Sequence, residues 1–212
     1  MDWSTPIYLY CERTDASFWA EPANALTNAA FLFAAAAAFV LWRRKGARDW
    51  PVLALIVVVF AVGLGSFAFH TVATRGAMLA DVIPIAVFIY GYLLLALRRL
   101  VHLAAGVAIA IVVVFAVGAQ ALAVVTPPQF LNGSVGYLPA LLALIVVART
   151  TRDPGARRGL NLAVMIFTIS LALRSIDLAV CREFPLGTHF IWHLLNAILL
   201  YVLPCTAIKE SG

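Results

Sequence analysis

Seven apolar runs, separated by short charged or Pro/Gly-rich breaks, restrict this chain to one kind of structure. They fall at about 23–42, 51–70, 78–97, 101–125, 134–148, 158–178 and 187–207. Each approaches the ~20 residues that a helix needs to cross about 30 Å of hydrocarbon. Hydrophobic residues make up 64% of the chain and charged residues 12%, whereas roughly a quarter of a soluble domain is charged. A membrane barrel would instead show alternating segments of ~10 residues. The expectation is an all-α membrane protein, a seven-transmembrane helix bundle forming one domain over residues 1–212. The first 22 residues lack the basic start, apolar centre and small-residue cleavage site of a signal peptide. They read as an extracytoplasmic segment, with the first span directing insertion. The fifth run is the shortest, and the stretch before it, TPPQFLNGSVG at 126–136, carries two prolines and two glycines that break a helix.

A net charge of +5 would suggest a nucleic-acid partner for a soluble protein, but here the charges sort by loop. Eleven of the 15 basic residues, from Arg43 through Arg98 and Arg149 to Lys209, fall on one side of the expected bundle. The other side holds Arg13, Arg75, Arg174 and Arg182 with seven of the ten acids. Basic loops stay in the cytoplasm. The N-terminus is therefore expected outside and the C-terminus in the cytoplasm, and no nucleic-acid partner is expected.

With that orientation, the chemistry-bearing residues meet at one depth, in the outer leaflet. The second span ends on GSFAFH, with Ser66 four residues before His70, and Asp81 opens the third span. The seventh begins THFIWHLLN, with His189 and His193 four apart and so on one helix face. Three of the chain's four histidines converge there, while His102 lies at the other end. Three neutral imidazoles around zinc leave a fourth position open, and such a metal lowers the pKa of bound water towards ~7. Ser66 can then donate to a developing oxyanion, and Asp81 can act as general base or orient a histidine. The plainer role for Asp81 is to cap the third span. Asn24, Asn28, Arg174 and Asp177 reach the same level and would bind a polar headgroup or brace the bundle. Glu12, Asp15 and Glu21 are candidate calcium ligands, although calcium takes six or more oxygens. Cys11 and Cys181 share the outer, oxidising side, and a disulfide between them is expected, with two free buried thiols as the alternative.

These motifs resemble a known family. The run CER followed by AEPANALTN, GLGSFAFH with an aspartate eleven residues after the histidine, RSIDLAVC, and HFIWHLLNAILLY are similar to the alkaline ceramidases. That family belongs to a wider group of seven-span hydrolases that includes adiponectin-receptor-like proteins. The resemblance implies zinc on His70, His189 and His193, with Ser66 and Asp81 as the catalytic pair. It also implies a disulfide between the N-terminal segment and the last outer loop. The family's calcium site uses an Asp-Trp-Cys-Glu run, and this chain keeps Cys11, Glu12, Glu21 and Asn24 but has Leu9 and Tyr10 in place of the first two.

The expected function is a zinc-dependent intramembrane amidohydrolase, cleaving the N-acyl bond of ceramide or a ceramide-like lipid that enters from the bilayer. The alanine- and arginine-rich composition with terse loops looks bacterial, which places the protein in an inner membrane with its site towards the extracytoplasmic leaflet. The alternatives are a seven-span receptor or channel with structural zinc, and a hydrolase of other acyl-lipid amides or esters.

Overall fold

A computed structural model describes residues 2–127 and 129–208, so Pro128 and the basic tail residue Lys209 lie outside the described residues. The described residues form helices α1 (Pro22–Thr27), α2 (Ala29–Arg44), α3 (Trp50–Val72), α4 (Arg75–Arg99), α5 (Ala105–Val125), α6 (Leu138–Thr150), α7 (Pro154–Ile176) and α8 (His189–Ala207). Helices α1 and α2 together make the first span, and among the described residues seven spans are long and apolar enough to cross a membrane. There is no strand among them. In lipid every backbone polar group must be satisfied within the segment, which a helix does by itself.

The outward faces are apolar, as a lipid-facing surface requires: Phe33, Val114, Val124 and Met165 are all exposed. Helices in lipid gain nothing from hiding such residues and associate through close packing at small side chains. Helix α2 offers Ala35 and Ala38, both buried, and α3 offers Gly63 and Gly65. Helix α5 is the least enclosed span, with Ala108 its one buried residue. The enclosed centre is built by α2, α3, α4, α7 and α8.

The tightest approach lies where α3 meets α4. A methyl group added at Gly65 would stand 2.0 Å from the carbonyl oxygen of Ala80. Pro84 lies inside α4, and having no N–H it cannot donate to that carbonyl as an ordinary residue would. The neighbours of these two contact residues are Ser66 and Asp81, so the missing side chain brings the catalytic candidates to face one another. Gly65→Ala is expected to destabilise the bundle by about 1–3 kcal/mol, the usual cost of overpacking, read as a lower thermal midpoint in detergent. An unchanged midpoint would mean that the two helices part freely and that the contact fixes nothing.

The turn between these helices is shorter than the hydropathy pattern implies. Ala73 ends α3 in the left-handed region at φ +48, and the Thr74 side chain accepts from Ala77 N to cap α4. Asp81 therefore sits two turns inside the helix, and its capping role is taken by Thr74. The fifth span differs too: its α-helix starts only at Leu138, after a 3-10 turn at Phe130–Tyr137 in which Leu131, Asn132 and Gly133 take positive φ.

The N-terminal segment crosses the α3–α4 turn and covers that end of the bundle. Ile7 N donates to Ala73 O, and Arg75 N and Gly76 N donate to Thr5 O and Trp3 O. A disulfide joins Cys11 to Cys181, with Cα atoms 5.3 Å apart. At the opposite end Arg99 forms a bidentate pair with Asp49, and His102 lies in the turn between α4 and α5.

Candidate metal centre

The local sequence explains how three distant histidines meet. His70 lies in the last turn of α3, and His189 and His193 occupy the first two turns of α8. Asp177 fixes where α8 begins, because its Oδ1 accepts from the backbone N–H of Thr188 at 2.7 Å and of His189 at 2.9 Å. Its Oδ2 accepts from Cys11 N at 3.1 Å, so one buried carboxylate ties the cap segment to the helix of the histidine pair. Gly187, at φ +64, makes room: a methyl there would lie 2.2 Å from Asp177 Oδ1.

All three histidines are buried. One ring nitrogen from each falls within 4.8 Å of the others, and this is the one such group of His, Cys, Asp or Glu among the described residues. Two of the rings are oriented by hydrogen bonds from their other nitrogen. His70 Nδ1 donates to Glu21 Oε2 at 2.6 Å. Thr27 Oγ1 spends its proton on Ala23 O at 2.7 Å, so it accepts from His193 Nδ1 at 3.0 Å. Both tautomers leave Nε2 with a lone pair, the arrangement by which carboxylates and hydroxyls prepare metal-binding imidazoles. Tyr10 stacks on His189 with ring centroids 3.6 Å apart.

Three buried atoms at this centre have no partner within the protein: His70 Nε2, His189 Nδ1 and Asp81 Oδ1. Unpaired polar atoms in a buried site are costly, and a cation held by the rings accounts for the two imidazole nitrogens. The donor set therefore fits a divalent metal. Ser66, one turn before His70, is buried, as is Asp81, and the close approach of Gly65 to Ala80 sets the two side by side. Asp81 lies outside the three-histidine group.

The sequence profile of the Ceramidase family matches residues 7–208, nearly the whole chain. The chain belongs to that family. Ceramidase-family membership supports ceramide-hydrolysing activity, a hydrolase acting on amide bonds, and a lipid substrate in a membrane. No curated protein matches the chain.

An apolar cavity suits a ceramidase-family substrate. It begins beside the histidines, among Phe31, Tyr137, Trp192 and Asn196, and runs towards Tyr92 and Leu203. From Trp192 to Leu203 the helix rise amounts to about 16 Å. Trp192 touches His189 and Phe31 touches His193, with ring centroids 6.4 and 6.3 Å apart, so the cavity adjoins the metal centre without including it.

The remaining polar residues serve other partners. Asn24 Nδ2 donates to Glu21 Oε2 and Asn28 Nδ2 to Asn24 O. Arg174 is buried among the rings of Tyr10, Tyr137 and Trp192 and donates to Asn132 O and Ser134 Oγ. Calcium on Glu12, Asp15 and Glu21, the three acids of the N-terminal segment, does not fit. Both Glu12 oxygens accept backbone N–H groups of Ala23 and Asn24, capping α1. Asp15 is exposed and accepts from Ser17 N. Glu21 pairs with Arg13 and His70. Burial works to raise the Glu21 carboxyl, but hydrogen bonding and charge from His70, with further bonds from Arg13 and Asn24, outweigh it and hold the group below its ordinary value.

Three contributors escaped the sequence reading: Tyr10, Arg13 and Thr27. Arg13 carried a signal, being the sole basic residue before Arg43 and set among four acids. Tyr10 precedes the disulfide cysteine, which places it beside α8. Thr27 gave no signal, since a threonine in a span most often bonds its own helix, and Thr27 does that as well.

Proposed function

We propose that this protein is a zinc-dependent amidohydrolase that cleaves the N-acyl bond of ceramide or a ceramide-like lipid, giving a fatty acid and a sphingoid-type amine. The observation that carries the reading is the count of ligands. Structural zinc sites are closed by four protein ligands, whereas catalytic sites use three and keep a position open. Among the described residues the group stops at three histidines, which favours catalysis over a receptor or channel with structural zinc.

His70, His189 and His193 would hold the metal, which supplies a Lewis acid that activates water and polarises the amide carbonyl. Asp81 takes the proton of the attacking water. Ser66 donates to the oxygen that gains charge as the carbonyl carbon becomes tetrahedral. Asp81 then returns the proton to the nitrogen, which leaves as an amine. The apolar cavity below Trp192 holds an acyl chain, so the substrate enters from the bilayer with its amide at the level of the histidines. The concentration of basic residues at the far end supports an outward-facing site with the N-terminus outside.

The test is fatty-acid release from an N-acyl sphingosine by the detergent-purified protein, with metal content measured on the same sample and an acyl ester run beside the amide. One zinc per chain, with cleavage that chelation abolishes and zinc restores, is the expected result. Bound zinc with neither amide nor ester cleaved would turn the reading to the structural site. Faster cleavage of the ester would move the substrate class.

A further inference from the structure

We propose that Arg13 is a built-in cation of this protein: its guanidinium stands where a bound calcium ion would have to sit, and through Glu21 it positions the His70 imidazole for the metal. The proposal rests on the zinc reading above and adds a residue that touches neither metal nor substrate.

Arg13 is buried, and each of its nitrogens is directed at oxygen. Nε donates to Glu21 Oε1. Nη1 donates to the carbonyls of Asp15 and Ser17, both at 3.2 Å. Nη2 donates to the carbonyl of His70 at 2.9 Å and reaches that of Thr71 at 3.5 Å. One carboxylate oxygen and four carbonyl oxygens thus surround a single positive charge. Calcium gathers the same kind of shell, six to eight carboxylate and carbonyl oxygens. The guanidinium and a calcium ion cannot occupy it together.

The consequence reaches the metal centre by two routes. Glu21 is a bridge, with Oε1 on Arg13 and Oε2 on His70 Nδ1 and Asn24 Nδ2. The same guanidinium also binds the backbone carbonyl of His70, so ring and main chain of one ligand are held from a single residue. A planar fork with five donors can do this, whereas the point charge of lysine cannot satisfy so many acceptors. A cation that is part of the chain does not dissociate. Zinc binding here is therefore indifferent to calcium.

The experiment measures zinc affinity by chelator competition, and thermal midpoints, for wild type, Arg13→Ala and Arg13→Lys. Each calcium-depleted protein is compared with the same protein in about 1 mM calcium, the range of weak extracellular calcium modules. Wild type is expected to give the same values in both. Arg13→Ala is expected to bind zinc ~10–100-fold more weakly without calcium, the usual effect of losing an outer-shell partner, and to regain most of that with calcium. Arg13→Lys falls between and ignores calcium. The proposal is overturned if wild-type affinity rises with calcium, if Arg13→Ala keeps wild-type affinity, or if it weakens and calcium restores nothing. Should Arg13→Ala not fold, the other two proteins decide: a weakened Lys variant beside an indifferent wild type supports the proposal, and a Lys variant equal to wild type sinks it. Failure of the zinc reading looks different, since wild type would then bind no zinc. The midpoints still answer in that case, because calcium should raise that of Arg13→Ala and not that of wild type.

Discussion

His193→Ala is expected to leave the purified protein without stoichiometric zinc and without fatty-acid release above background. The imidazole is buried and is held in one tautomer by Thr27, and no spare imidazole or thiol lies at this level: His70 and His189 are already in the set, and Cys11 and Cys181 are joined in the disulfide. Losing an outer-shell partner of a metal ligand costs ~10–100-fold in affinity, and losing the ligand itself should cost more. Metal content and activity must fall together. A variant that keeps one zinc per chain would remove His193 from the ligand set, and one that loses zinc yet still cleaves amide would remove the metal from the chemistry.

Asp81→Asn is expected to separate those two readouts. The carboxyl lies outside the three-histidine group, so zinc content should stay at the wild-type level. An amide cannot take a proton from water, so turnover should fall by ~10²–10⁴-fold, the contribution of a positioned general base, with a smaller change in KM. Thermal stability should hold or rise, because a buried carboxylate oxygen without a partner, Oδ1, is replaced by a neutral group. A stability gain bought with lost activity is the pattern of a functional site held against its own folding preference. If zinc is lost instead, Asp81 is a fourth ligand, the site is closed, and the structural reading takes over.

What the sequence made legible follows from periodicity. Apolar run length carries the seven spans, because crossing the bilayer requires it whatever the neighbours are. The four-residue spacing places Ser66 with His70 and His189 with His193 on common helix faces, which is a property of the helix alone. The histidine triad and the cysteine pair then needed one further step, that all lie at the same end. The details that were hidden depend on how segments pack. The two-residue turn at Ala73–Thr74 uses a left-handed alanine, and no sequence rule expects a non-glycine residue there. It moved Asp81 from a cap position into the helix interior. The acids at Glu12, Asp15 and Glu21 look alike in one dimension, yet one caps α1, one faces solvent and one bridges an arginine to a histidine. Only the path of the N-terminal segment over the α3–α4 turn distinguishes them. In one dimension Arg13 reads as a topology charge, because its partners, the carbonyls of His70 and Thr71, lie 57 and 58 residues further along, at the end of the second span.

The clasp between Cys11 and Cys181 also bears on the order in which the protein is made. Its two halves are separated by 170 residues, so at ordinary synthesis speeds the first cysteine waits about 10–30 s for the second. Glu21, Thr27 and His70 are inserted in that same early portion, while His189 and His193 arrive with the last helix. A metal ion that meets the nascent chain finds one imidazole of the three, too few to retain it. On the proposed metal reading, loading would therefore belong to the finished protein, after the final span has entered and the cap has been fastened over it.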